Sequence, residues 1–397
     1  MISAVSLWAW RIAPRNPVLP SLVAVALLAA SGTGFVALAP NRLVSGRPIP
    51  LLQAAPPSVG AALAICGVLL FAAGFAAPRR ALHYAAAVVA GTALLTVLAG
   101  AGHAAAMEAA AASGLARVSL GAGFWVLFGC AALALVDALQ RAEANAAVRL
   151  CAIALAAASF VVMARSGVFE ALSLAREYRI RRDTLGGDLV RHVELVAAAI
   201  GPAVLVGVPL ALAALRRPRF ETPLFAVLNL LQTVPSIALF GLLIVPLSAL
   251  AIAVPALGAL GVGGVGPAPA IIALVVYALL PVARSTLAGI AGVSPAAVDA
   301  ARGIGMTRRQ VFWFVQVPLA SPVLLAGLRV VTVQTIGLAV VAALIGAGGL
   351  GTLVFQGLGQ YAADLVLLGA LPAIGLALAA DFLLRLLAAA VQRRYAP

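Results

Sequence analysis

Apolar runs separated by short polar stretches dominate this chain, and those stretches hold nearly all of its charge. A helix needs about 20 residues to cross about 30 Å of hydrocarbon, and by that ruler the pattern predicts ten spans. They lie near 18–38, 58–77, 81–102, 119–138, 149–164, 193–215, 223–247, 269–290, 319–345 and 365–388. The predicted fold is therefore all-α and polytopic, with about ten transmembrane helices. The first run follows Arg11 and Arg15, and Ala37-Leu38-Ala39 imitates a signal cleavage site. Its apolar length exceeds the roughly 7 to 15 residues of a secretory signal, so it is expected to be a retained span.

Composition agrees with that pattern. Of 397 residues, 64% are hydrophobic and 10% charged, and the mean hydropathy is +1.14; too little polar surface remains to enclose a soluble core. All 26 basic residues are arginine. Without lysine the chain can build neither a Walker-type phosphate loop nor a Schiff base in the usual way. The net charge of +14 is dispersed as pairs and triplets flanking the spans. That pattern points to topology signals and anionic lipid and away from nucleic acid. Cys66, Cys130 and Cys151 lie in or beside apolar runs, and His83, His103 and His192 stand apart from one another, so no metal site or catalytic constellation is expected.

Arginine placement predicts the orientation. Arg216, Arg217 and Arg219, then Arg284, Arg302, Arg308 and Arg309, then Arg385, Arg393 and Arg394 mark three segments as cytoplasmic, while the loops near 248–268 and 346–364 hold no arginine. The stretch 165–192 runs against the rule: parity places it outside, yet it carries six arginines, partly balanced by Glu170, Glu177, Asp183 and Asp188, with Glu194 just beyond. Leu185, Leu189, Val193 and Val196 recur there at helical spacing, which predicts an amphipathic helix running into the sixth span. The chain thus divides into three regions: an accessory membrane region at 1–165, an extracytoplasmic connector at 166–192, and a five-span region at 193–397 with a long cytoplasmic loop at 291–318.

That loop reads as helix, turn, helix. Pro295 sits at an initial turn after Ser294, Ala296 to Arg302 favour helix, Gly303 and Gly305 break it, and Thr307 can cap a second helix beginning at Arg308. Asp299, Ala300 and Ala301, three residues, Gly305, nine residues and Val315-Gln316-Val317-Pro318 reproduce a signature written E-A-A, G, I-x-L-P. In this the chain resembles the permease subunits of bacterial ATP-binding-cassette importers; the departures are Asp for Glu, Val for Ile and Val for Leu.

The resemblance implies a type I ABC importer permease core of five helices in the C-terminal half, in the bacterial inner membrane, with the C-terminus in the cytosol. It implies a coupling helix seated on a separate cassette ATPase, which would hold the ATP and Mg, so this chain would need no cofactor. It further implies a second permease subunit, identical or not, and an extracytoplasmic solute-binding protein. Ala300 and Ala301 would allow close packing, Asp299 would offer charge, and Gly305 would supply the bend. Ile345-Gly346-Ala347-Gly348-Gly349-Leu350-Gly351 ends a long apolar span on the expected outer side, which is not the strand-to-helix context of a dinucleotide fingerprint. Together with Gln232-Thr233-Val234-Pro235-Ser236 it looks like the glycine betaine, choline and carnitine branch of these permeases. Part of that pattern is shared with methionine permeases, so an importer of methionine or another amino acid stays open. An ion-driven secondary transporter would need intramembrane carboxylates, for which only Asp137 and Asp381 qualify, both near cytoplasmic ends. Within the spans, Asp381 and Arg385 are spaced for an i,i+4 pair, and Arg329 is either a packing partner or part of a pathway or gate. Gln232 makes an interhelical hydrogen bond or, with Pro235, marks a broken helix lining a pathway.

Overall fold

The computed structural model describes residues 14–395 except 42–43, 45, 113–115 and 260, and excludes the side chains of 393–395. Arg11 lies outside the described residues. The chain divides into two compact units, the first ending at Ile180 and the second beginning at Arg181.

The first unit contains α1 (Val18–Gly32), α2 (Leu51–Ala54), α3 (Pro57–Phe75), α4 (Arg80–Ala111), α5 (Ala122–Arg141) and α6 (Ala146–Arg165). The expected first span is shortened: α1 has 15 residues, and after Gly32 and Gly34 the chain turns extended as β1 (Val36–Ala39). β1 pairs antiparallel with β2 (Arg47–Ile49) on one side and β3 (Arg117–Leu120) on the other, Val36 facing both Ile49 and Leu120. This small sheet departs from the purely helical expectation. Ala37-Leu38-Ala39 is therefore a sheet strand whose end residue, Ala39, is buried. On α4 the buried face is built mostly of small residues, among them Ala86, Ala90, Ala93, Ala101 and Ala104, while Val88 is exposed. Small side chains let helix backbones approach closely where lipid removes any hydrophobic drive between helices.

The boundary between the units falls inside α7 (Ser173–Arg216), a continuous 44-residue helix. Its buried positions include His192, Leu195, Val196 and Ala199, whereas Leu189 and Val193 of the expected stripe are exposed. The predicted face therefore holds in part, with Val196 buried and Leu185 half-buried, and its buried line runs through His192 and Leu195.

The second unit continues with α8 (Pro218–Thr233), α9 (Ser236–Ala253), α10 (Pro255–Ala259), α11 (Pro267–Ala291), α12 (Pro295–Gly303), α13 (Arg308–Ile345), α14 (Gly351–Gly359) and α15 (Ala363–Tyr395). Proline opens α3, α8, α11 and α12, where its missing N–H costs nothing. The span expected at 223–247 is two helices. Pro235 has no N–H to continue a helix and disfavours helical geometry at Val234, which is extended here (φ −67°, ψ 126°). The two pieces nevertheless run in order along α11, as their contacts show. Leu224, Phe225 and Leu228 pack on Leu280 and Ala283, the joint meets Tyr277, and Phe240 packs on Ala270 and Ala273. Nine helices among the described residues are long and apolar enough to span a membrane: α3, α4, α5, α6, α7, α9, α11, α13 and α15.

Candidate functional site

The residues of interest fall at the two ends of α13 and at the α8–α9 joint. At one end, α12 stops in a Schellman turn: Gly305 N–H donates to the Arg302 carbonyl at 2.9 Å and Met306 N–H to the Ala301 carbonyl at 3.2 Å. This closure needs a left-handed residue, and Gly305 supplies it at φ +88° with open space around its Cα. Thr307 and Gln310 then form a reciprocal capping box that starts α13. Four residues later the helix widens into a π-turn over Phe312–Gln316. Pro318 explains the local strain on the ladder, since its ring has no N–H for the Phe314 carbonyl and crowds it.

Burial sorts the signature residues into two roles. Ala301 is 6% exposed, and Val298 joins Ile290, Val293, Ala320 and Phe312 in one apolar cluster. Asp299 and Ala300 face outward, the Asp299 side chain 72% exposed and loosely paired with Arg302 at 3.6 Å. Ile304 is 76% exposed. Of the two alanines expected to allow close packing, Ala301 faces this chain's own core and Ala300 is exposed. Val315 and Pro318 are half-buried at the root of α13.

At the far end of α13 the glycine motif makes a second Schellman turn, with Gly346 N–H donating to Ala343 and Ala347 N–H to Ala342. Gly346, Gly348 and Gly349 have φ of +76°, +82° and +81°. Gly351 is required for a different reason, because a Cβ there would lie 1.9 Å from the Val340 carbonyl oxygen. Sequence reasoning missed the residues that hold this turn. Arg191 Nε donates to the Ala347 carbonyl at 3.2 Å, and its guanidinium pairs with Glu194 at 3.0 Å. The buried His192 ring bonds the Ile336 carbonyl through Nε2 at 3.1 Å. Polar residues at helical spacing beside an apolar run were the available signal.

At the joint, Gln232 Nε2 donates to the Tyr277 carbonyl at 2.7 Å, and the Tyr277 hydroxyl donates to the Val234 carbonyl. The carbonyl freed by the helix break is satisfied by a lone tyrosine of α11. Arg329 does not join either end. Its Nε donates to Asp381 Oδ1 at 3.0 Å, and Arg385 Nε donates to Asp381 Oδ2 at 2.7 Å, tying α13 to α15. Asp137 is held by Asn16 at 2.7 Å and by Arg141 at 3.0 Å.

Residues 203–395 match the sequence profile of the binding-protein-dependent transport system inner membrane component, and residues 14–175 match that of the N-terminal domain of the ABC transporter permease YehY. The osmoprotectant import permease protein OsmW of Salmonella typhimurium is 40% identical over 194 residues, 49% of this chain and 85% of that one. The choline transport system permease protein OpuBB of Bacillus subtilis is 36% identical over 218 residues, 54% of this chain and 91% of that one. A chain of the methionine ABC transporter MetNI, solved in an inward-facing conformation, is 20% identical and aligns over 52% of this chain and 95% of its own length at a TM-score of 0.46.

Proposed function

Because the chain belongs to the inner-membrane permease family of binding-protein-dependent ABC importers, we propose that it forms the membrane pathway through which a quaternary-ammonium osmoprotectant such as glycine betaine, choline or carnitine enters a bacterial cell. The observation that carries this reading is the α12 knob. A nine-residue helix rests its Ala301 side on the permease and turns Asp299, Ala300 and Ile304 away from it. An exposed isoleucine between two glycines on a charged loop fits a protein partner better than water, and the partner proposed is a cassette ATPase in the cytosol. The ATPase would hold the nucleotide and Mg, which agrees with a chain that contains no lysine. Closure of two ATPase subunits would push the knob, and α11 and α13, rooted in the same apolar cluster, would move with it.

On this reading the 291–318 loop and the C-terminus lie in the cytosol, and the Gly346–Gly351 turn lies on the outer side, where a solute-binding protein would dock. Gln232 and Pro235 belong to the joint beside the pathway, and Arg329 to the packing between α13 and α15. The test is reconstitution in sealed vesicles with an osmoprotectant-type cassette ATPase and binding protein. Labelled choline or glycine betaine should accumulate only when all components and ATP are present, and the isolated chain should hydrolyse none. ATP hydrolysis by the chain alone, or accumulation of methionine but of no quaternary ammonium compound, would overturn the assignment.

A further inference from the structure

A cleft of about 230 Å³ opens beside the coupling knob, between the last turns of α7 and α11 and the start of α13. Arg216, Arg302 and Arg308 line it together with Gln316, over walls that include Ile290 and Phe312. Among the described residues neither Arg216 nor Arg308 has a carboxylate partner, and Arg302 has only the distant, exposed Asp299. Elsewhere at this end Arg284 is held by the Asn229 side chain and lies over the Phe225 ring. Arg308 also sits in the first turn of a helix, where the macrodipole disfavours a cation. The cleft therefore concentrates positive charge that the chain itself leaves uncompensated.

Its walls decide what kind of anion fits. Ile290 is buried in the last turn of one membrane helix, Phe312 belongs to the first turns of another, and the exposed Trp313 beside it is an aromatic of the type found at headgroup level. A ligand with a phosphodiester head and an apolar continuation matches arginines above and hydrocarbon walls below. A carboxylate from a protein partner would use the first and not the second. We propose that this cleft is a binding site for one anionic phospholipid headgroup, held by Arg216, Arg302 and Arg308. The proposal rests on the functional reading that places the 291–318 loop at the cytoplasmic face.

The experiment uses the full chain, purified from nanodiscs of phosphatidylcholine with added phosphatidylglycerol, and reads retained phosphatidylglycerol by native mass spectrometry. A juxtamembrane arginine contributes about fivefold to anionic-lipid binding, so Arg216→Gln/Arg308→Gln should lower retention about twenty-five-fold. Arg216→Lys/Arg308→Lys, which keeps the charge and guards against misfolding, should retain most of it. Arg219→Gln/Arg309→Gln removes equal charge from neighbouring positions outside the cleft and should change retention little. Equal loss in both glutamine pairs would mean diffuse surface attraction and would overturn the site, as would no loss in either. Displacement of the lipid by inorganic phosphate would reassign the cleft to a free anion, and loss of ATPase binding with lipid retention intact would reassign it to the protein partner. Because retention is measured on the isolated chain, its failure is separate from failure of the transport reading, which the sidedness of Thr307 tests independently.

Discussion

Asp381 is the hub of a three-residue charge cluster, so removing the hub and removing a spoke should differ. Asp381→Leu strands two guanidiniums that now share one carboxylate. Breaking a buried pair from one side costs about 3–5 kcal/mol. The Arg329 side chain is 36% exposed and that of Arg385 is 61% exposed, so screening reduces the figure, and about 2 kcal/mol is expected for Asp381→Leu. Arg329→Leu leaves Asp381 its bond to Arg385 and should cost about 1 kcal/mol, with Arg385→Leu below that. The double variant Arg329→Leu/Asp381→Leu removes the less exposed of the two charges that the single hub variant strands, and should recover about 1 kcal/mol relative to it. Thermal unfolding in nanodiscs gives the ranking, and uptake measured on the double variant separates packing from gating. Asp381→Leu no worse than Arg385→Leu, or a double variant no better than Asp381→Leu, would refute the hub. A stable double variant without uptake would put Arg329 in the pathway.

The geometry predicts four further outcomes. Gly351→Ala drives a methyl group into the Val340 carbonyl and should destabilise the protein by about 3 kcal/mol, read as a lowered unfolding temperature. At Gly305 there is space but a left-handed backbone, so ATP-driven uptake at unchanged membrane abundance should fall in the order Gly, Asn, Ala, Val, with about 1 kcal/mol of strain for Ala. Tyr277→Phe leaves the Val234 carbonyl without its donor and should cost about 1 kcal/mol while lowering uptake more than ATP hydrolysis; equal losses in both would count against the joint. Cysteines at Gly187 and Val265 should react with an impermeant thiol reagent from outside intact cells and one at Thr307 should not; labelling at Thr307 would remove the knob from its proposed partner.

Much of this architecture was legible because a membrane helix announces itself by length alone. The signature loop was legible for a second reason: Pro295, Gly305 and Thr307 are residues whose backbone preferences leave one arrangement open. The joint was only half legible: Pro235 left a broken helix open as one of two readings, but proline alone does not decide it, since Pro202 and Pro209 lie inside the continuous α7. Which face of each helix is buried was not legible. In water an apolar stripe marks the inside, but in lipid the outside is apolar as well, and α6, an apolar helix, has no buried residue among its 20. Hence Leu189 and Val193 looked like a packing stripe while His192 and Arg191 did the anchoring. The sheet was hidden because its strands have four, three and four residues, too few for alternation to register against flanking alanines.

The placement of the joint gives the proposed coupling its economy. A push on α12 arrives at Ile290 and Phe312 together, so the ends of α11 and α13 receive it as one body. Along α11 the next feature is Tyr277, which holds both the Gln232 side chain and the freed carbonyl of Val234. A continuous helix at 218–253 would resist bending with its whole hydrogen-bond ladder. A helix interrupted at Val234–Pro235 has already given up that ladder locally, and two side-chain hydrogen bonds to one partner helix replace it. Displacement of α11 can therefore re-aim α9 relative to α8 without breaking backbone hydrogen bonds within either. At the far end of α13, glycines that are already left-handed and backbone bonds from Arg191 and within the Gly346 turn resist such motion. In the proposed coupling, a compliant joint and a stiff turn would direct a movement that begins at the knob toward the α8–α9 joint.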